Sequence, residues 1–284
     1  MSMHNRVCLI TGATNGIGKA TALALAAQGA ELFVVCRNQA KGEALLAEIN
    51  EQSPECHSTL LLGDLGKFSD IRRVATQFLD TGKPLHLLMN NAGVVNTHRK
   101  LSSDGIEETF AVNHLAYFLM TELLRDRLIQ SAPARIVSVA SAAYSFANGV
   151  QFDDLEFKTT PYKTFKVYGH SKLCNILWTR QLAKQLEGTG VTVNCVHPGA
   201  VSTGLGHQDH VVIGKIIGLL MKPFFRSPAS GAKTSIFVAT SPSLANISGE
   251  YFSDCKPKRL KSWAKDDRAA ERLWQVSEAY LKRA

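Results

Sequence analysis

The chain has 284 residues, 45% of them hydrophobic, enough to bury a sizeable core. Its 32 Lys+Arg against 24 Asp+Glu leave a net charge of +8, but the C-terminal share of that excess (Lys256, Lys258, Arg259, Lys261, Lys265) has no interleaved aromatics and no nucleic-acid motif, so a solvated basic face is expected and a nucleic-acid partner is not. Six cysteines show neither CxxC nor metal-ligand spacing, which points to reduced core thiols and no metal site.

In chain order, Arg6-Val-Cys-Leu-Ile10 reads as a buried strand that runs from near Met1 into a turn, leaving no room for a signal peptide or anchor helix. A cytoplasmic setting, with or without peripheral membrane contact, is therefore expected. Next comes Thr11-Gly12-Ala-Thr14-Asn15-Gly16-Ile17-Gly18, followed by Ala20, Leu23, Ala24 and Ala27 at helical spacing. Strand, glycine turn and helix N-terminus together make an anion site: Gly12 permits the turn, Gly16 lets a pyrophosphate approach the backbone, and Gly18 lets helix pack on strand. The second strand, Glu31 to Cys36, ends in Cys36-Arg37-Asn38. An acid in that place would bind the adenosine ribose 2′-hydroxyl and repel a 2′-phosphate, whereas the Arg37 guanidinium grips a phosphate in a fork, so NADP(H) is expected over NAD(H).

A helix over about 39–51 leads to a third strand, Ser58 to Leu62, and to Asp64-Leu65. Asp64 suits either an adenine amine or a cap on the following helix at about 68–79. A fourth strand, Leu85 to Met89, ends in Asn90-Asn91-Ala92-Gly93, small and polar residues that let a ligand reach the backbone. In the helix at about 107–124, Asn113 interrupts an apolar face and needs a partner. The fifth strand, from Arg135, ends at Ser141; the sixth, Thr192 to Val196, ends at His197-Pro198-Gly199. Between them, Tyr168-x-x-x-Lys172 opens a helical pattern through Leu173, Ile176, Leu177 and Leu182, and places phenol and ammonium on one face, where the cation favours the phenolate. Tyr162-x-x-x-Lys166 has the same spacing, but it follows Pro161 without a sustained apolar period and is set aside as a decoy.

Strand and helix runs alternate to the end with no linker, so the expected architecture is one α/β domain over 1–284, a doubly wound parallel sheet with helices on both faces, a Rossmann fold. Together these motifs resemble those of the short-chain dehydrogenase/reductase superfamily. Val35-Cys36-Arg37-Asn38, Tyr168-Gly-His-Ser-Lys172-Leu and Ser248-Gly-x-Tyr-Phe-Ser253-Asp-Cys255 are most similar to its retinol dehydrogenase branch. The resemblance implies an NADP(H)-dependent oxidoreductase that interconverts a carbonyl and an alcohol. In it Tyr168 is the acid/base, Lys172 holds the nicotinamide ribose and depresses the tyrosine pKa, Ser141 binds the substrate oxygen beside Tyr168, and Asn113 holds a water linking Lys172 to solvent. It further implies cofactor contacts from Gly12, Thr14, Asn15, Gly16, Ile17, Gly18, Arg37, Asn38, Asp64, Leu65, Asn91, Ala92, Gly93, Pro198, Gly199, Val201 and Thr203, and it allows a homodimer or homotetramer.

A small lipophilic carbonyl or alcohol, retinal-like or another aldehyde or ketone, is the expected substrate. A steroid, fatty-aldehyde or xenobiotic carbonyl reductase stays open, as does a non-catalytic NADP(H) sensor. The segment at about 204–228, with its apolar run from Val211 to Met221, reads as a substrate lid, an interface helix, or, through 211–226, a membrane-surface helix.

Overall fold

The computed structural model describes residues 3–199 and 227–282. One eight-stranded sheet runs through them in the order β3-β2-β1-β4-β5-β6-β7-β8. Its strands are β1 (Val7–Thr11), β2 (Glu31–Cys36), β3 (Ser58–Leu62), β4 (Leu87–Asn90), β5 (Ala134–Val139), β6 (Val191–His197), β7 (Tyr251–Ser253) and β8 (Lys256–Pro257). Every neighbouring pair is parallel except β7 and β8.

Strand side chains alternate between two cores, and this is why the strands read as unbroken apolar runs. From β1, Cys8 and Ile10 join Leu25 of α1 (Gly16–Ala26), Leu45 and Ile49 of α2 (Gln39–Gln52) and Val238 of α7 (Pro228–Thr240). Val7 and Leu9 face the other way, into a larger core. There they meet Phe78 of α3 (Phe68–Asp80), Leu124 of α5 (Ala116–Gln130), Trp178 of α6 (Thr164–Gln185) and Leu273 of α8 (Asp267–Leu281). Apolar burial on this scale, at about 25 cal/mol per Å², is the main term holding the layers together. The result is a doubly wound, Rossmann-like α/β fold.

Several details depart from the sequence expectations. β7, β8 and α8 were not among the elements read from the sequence, and β8 runs antiparallel to β7. α6 begins at Thr164 rather than at Tyr168, because its first turn carries an exposed Phe165 and so shows no apolar period. α7 was not foreseen; it buries Gly231, Ala232, Thr234 and Ser235, small residues that pack closely but leave no apolar stripe to read. The helix that carries Asn113 is also interrupted. α4 (Glu108–Phe110) passes through a π-helical turn (Ala111–Leu115) before α5 begins.

Because β1 lies between β2 and β4, the connections leave it in opposite directions, and a crevice opens at the carboxyl ends of β1 and β4. Val201, Thr203 and the apolar run at 211–226 lie outside the described residues, as does nearly all of the expected lid at 204–228. Among the described residues, no helix is long and apolar enough to cross a membrane. No group of metal-ligating side chains occurs among them either. All six cysteines are unpaired, and the five C-terminal cations singled out above are exposed.

Candidate active site

The crevice floor is a set of close backbone approaches. Gly12 has φ +67, and a Cβ on it would lie 2.6 Å from the Ala92 Cα; a Cβ on Gly18 would lie 2.3 Å from the Gly12 carbonyl oxygen. Neither place admits a side chain. Asn91 holds the two strand ends together, its Nδ2 donating to the Thr11 and Gly12 carbonyl oxygens, each at 3.0 Å. Thr11 Oγ1 accepts from the Asn91 and Ala92 amides at 3.0 and 3.2 Å. At the start of α1, Asn15 caps the Gly16 amide and the first turn carries no acid, so the positive end of the helix faces the crevice.

Further along the same edge, Arg37 is exposed directly after β2, and Asn38 caps α2 by accepting from the Lys41 amide at 2.9 Å. Asp64 Oδ1 accepts from the Gly66 amide at 2.9 Å, which closes the turn into α3, while Leu65 packs in the larger core. Thr14 is half-buried and Ile17 buried beside the turn; after β6, Pro198 is buried and Gly199 takes φ +85.

Tyr168, Lys172 and Ser141 meet beyond the end of β5. Lys172 is buried, with its Nζ donating to the Val139 carbonyl oxygen at 2.8 Å and lying 5.6 Å from the ring centroids of both Tyr117 and Tyr168. A Cβ on Gly93 would be 3.7 Å from that nitrogen and 3.2 Å from Asn113 Oδ1, so the missing side chain leaves the ammonium its open flank. Two of its three donors remain for a ligand beyond Val139. Ser141 begins a 3-10 turn (Ala142–Phe146) and accepts from the Ala143 amide at 3.1 Å.

Asn113 finds its partners through the π-helical turn, a distortion that re-aims a side chain within a helix. Its Oδ1 accepts from the Val94 amide at 2.8 Å, and its Nδ2 donates to the Val94 carbonyl at 3.0 Å and to Ser171 Oγ at 3.1 Å. Ser171 Oγ donates in turn to the Tyr168 carbonyl at 2.8 Å. The carboxamide thus ties the loop after β4 to the first turns of α6, which carry Tyr168.

Burial governs the protonation of the pair. It pushes Tyr168 up to about 12, with the Ser141 hydroxyl working in the opposite direction, and it pulls Lys172 down to about 7. Burial, opposed only by the Ser141 hydroxyl, sets the direction of the Tyr168 shift, and Lys172 is not among its causes. Nζ sits beside the ring and against a carbonyl, and burial disfavours its charge as it disfavours the phenolate. The phenol is thus protonated at neutral pH, next to a lysine that exchanges protons near neutrality.

The decoy Tyr162 lies before α6 begins. Its hydroxyl donates to Glu107 Oε1 at 3.0 Å and contacts Thr109 Oγ1 at 3.1 Å, while Lys166 lies within α6. The sequence reading gave no role to four residues that shape the site: Thr11, Gly169 and Ser171, which it names only within motifs, and Tyr117. Tyr117 donates to the Ala92 carbonyl oxygen at 2.7 Å. A Cβ on Gly169 would meet the Ala143 carbonyl oxygen at 2.2 Å, so this glycine lets α6 lie against the Ser141 turn. A lone glycine inside a strongly helical stretch, costing about 1 kcal/mol against alanine, was the available signal.

Comparison with known proteins shows the family. The family profile described as short chain dehydrogenase matches residues 6–152 and 156–210. Retinol dehydrogenase 12 of Mus musculus is 43% identical over 277 residues, covering 98% of this chain and 86% of that protein. Among solved structures, an uncharacterized protein from Mycobacterium Paratuberculosis superposes with a TM-score of 0.79 at 26% identity, covering 99% of this chain and 95% of its own. A short chain dehydrogenase from Burkholderia cenocepacia J2315 in complex with NADP gives 0.71 at 25% identity, covering 89% and 97%.

Proposed function

We propose, from the premise that this chain belongs to the short chain dehydrogenase family and to its retinol dehydrogenase-like branch, that it is an NADP(H)-dependent carbonyl reductase and alcohol dehydrogenase for lipophilic substrates. The observation that carries the reading is the meeting of the Tyr168 and Ser141 hydroxyls with a buried Lys172 at the carboxyl edge of the sheet, next to an anion-binding helix start. A nicotinamide cofactor would supply the hydride, and the residues present fit one: the glycine turn offers backbone amides, Lys172 keeps two donors, and Arg37 stands exposed where a 2′-phosphate would be read.

In carbonyl reduction, Tyr168 gives its hydroxyl proton to the substrate oxygen, and the Ser141 hydroxyl donates a hydrogen bond to that oxygen as charge develops. Lys172 restores the tyrosine proton. Its burial, which brings it to about 7, lets it load and unload a proton at neutral pH. Asn113 holds the loop at Val94 and the turn at Ser171 in register, so that neither hydroxyl drifts from the oxygen they share. With the phenol protonated at neutrality, the resting site is set for reduction; the alcohol direction runs the same proton path backwards. Retinal, steroid and fatty-aldehyde substrates share this chemistry and differ only in the fit of their apolar bodies, where one methylene is worth about 1 to 3 kcal/mol.

The test is NADPH oxidation by the whole chain against retinal, medium and long aldehydes, steroid ketones and quinones, with Tyr168→Phe beside the wild type. Loss of a positioned acid is expected to lower kcat roughly 10²- to 10⁴-fold with NADPH binding retained. Wild-type turnover by the variant would show that some other group moves the proton.

A further inference from the structure

Phe146 and Phe165 are 59% and 69% exposed, the two most exposed large hydrophobic side chains among the described residues. A single exposed ring needs no explanation. These two, however, touch each other, with centroids 6.0 Å apart and planes tilted by 58°. Both belong to elements that carry the catalytic hydroxyls. Phe146 closes the turn that begins at Ser141, and Phe165 stands one helical step ahead of Tyr168, on a neighbouring part of the same face of α6. The place of a Cβ on Gly169 is 3.4 Å from the Phe146 Cβ, so the pair packs against α6 one residue along the chain from Tyr168.

We infer that Phe146 and Phe165 form an aromatic rim that grips the apolar carbon body of the carbonyl or alcohol substrate, while Tyr168 and Ser141 hold its oxygen. The assignment rests on the carbonyl chemistry proposed above and adds to it a preference for long, unbranched or polyene chains over short ones. Size selects this occupant. The two rings expose together roughly 250 Å², from 150–250 Å² per aromatic side chain, whereas a stable protein partner covers about 800 Å² on each side. A chain of several methylenes matches the smaller area. Exposed rings next to a polar reaction centre also leave the far end of such a substrate free to vary in length.

Phe146→Ser, Phe165→Ser and the double variant, made in the whole chain, test the rim by NADPH-dependent reduction of butanal and decanal. Both rings lie outside the cores, so thermal midpoints are expected to stay at the wild-type value. For decanal, kcat/KM in the double variant is expected to fall roughly 10-fold through KM, the order produced by losing part of an aromatic ring's burial, with butanal changed less than about twofold. An equal loss on both aldehydes, or none on either, overturns the rim. So does unchanged chain-length discrimination combined with lost co-sedimentation with phosphatidylcholine/phosphatidylserine vesicles, which would assign the rings to a lipid surface. Absence of turnover by the wild type on every carbonyl in the series sinks the reductase reading itself, and the rim with it.

Discussion

Replacing Gly169 by alanine tests whether the close approach of α6 to the Ser141 turn sets the catalytic geometry. The added methyl carbon would lie 2.2 Å from the Ala143 carbonyl oxygen and 3.1 Å from its carbon. That is short of ordinary van der Waals separation by about 1 Å, and the obstacle is backbone, which cannot rotate away. Helix and turn must separate by about that distance, carrying Tyr168 from Ser141. In stability the change is partly offset: overpacking costs about 1–3 kcal/mol and alanine recovers about 1 kcal/mol of helix propensity over glycine, for a net cost of about 0–2 kcal/mol. Catalysis has no such offset, because a displacement of about 1 Å at a reacting group costs on the order of 10²-fold. Gly169→Ala is therefore expected to fold, to bind NADPH with wild-type affinity at the distant glycine turn, and to lose roughly 100-fold in kcat. Initial rates of NADPH oxidation with the best aldehyde, together with NADPH titration by fluorescence, measure both. A kcat within threefold of wild type would refute the claim that this contact positions Tyr168.

Lys172→Met removes a group whose native pKa, about 7, lies below the ordinary lysine value of 10.5. Between those values the unfolded wild type binds more protons than the native state, so its stability rises with pH across that window. The variant is expected to lack that rise in urea unfolding at pH 7 and pH 10, and to lose roughly 10²-fold in turnover; an identical pH dependence would contradict the buried lysine. Asn113→Ala deletes bonds to the Val94 amide, the Val94 carbonyl and Ser171. At about 1–3 kcal/mol for each polar group left unpaired, with half-buried Val94 counted at the low end, it is expected to cost about 3 kcal/mol in urea unfolding, and a cost below about 0.5 kcal/mol would show the carboxamide to be dispensable for the fold. Arg37→Asp exchanges a forked phosphate donor for a repelling carboxylate. It is expected to lower kcat/KM with NADPH by about 10- to 100-fold while improving it with NADH, and an unchanged ratio would move the 2′-phosphate elsewhere.

The first six strands were legible because buried parallel strands are short apolar runs, and several end at turn-forming residues: Gly12 after β1, Asn91 after β4, Pro198 after β6. β7 and β8, three and two residues long, are too short to show such a run. α7 escaped notice because its buried face is built from Gly231, Ala232, Thr234 and Ser235, which carry no hydropathy signal and matter only through how closely they let a neighbour approach. The start of α6 was missed for the opposite reason: Phe165 is apolar but faces outward.

Spacing along the chain determined that Tyr168 and Lys172 share a helix face and that glycines punctuate the strand ends, since local backbone geometry is a matter of neighbours four residues apart or fewer. It also made Arg37 the exposed cation after β2. The tertiary structure alone decided what those groups experience. Asn113 and Val94, 19 residues apart, bind each other because a π-helical turn rotates the carboxamide. Asn91 is occupied by Thr11 and Gly12, 80 and 79 residues away. Burial raises Tyr168 and lowers Lys172, a direction their spacing does not show, because desolvation depends on everything packed around a charge and no pair of residues carries that information.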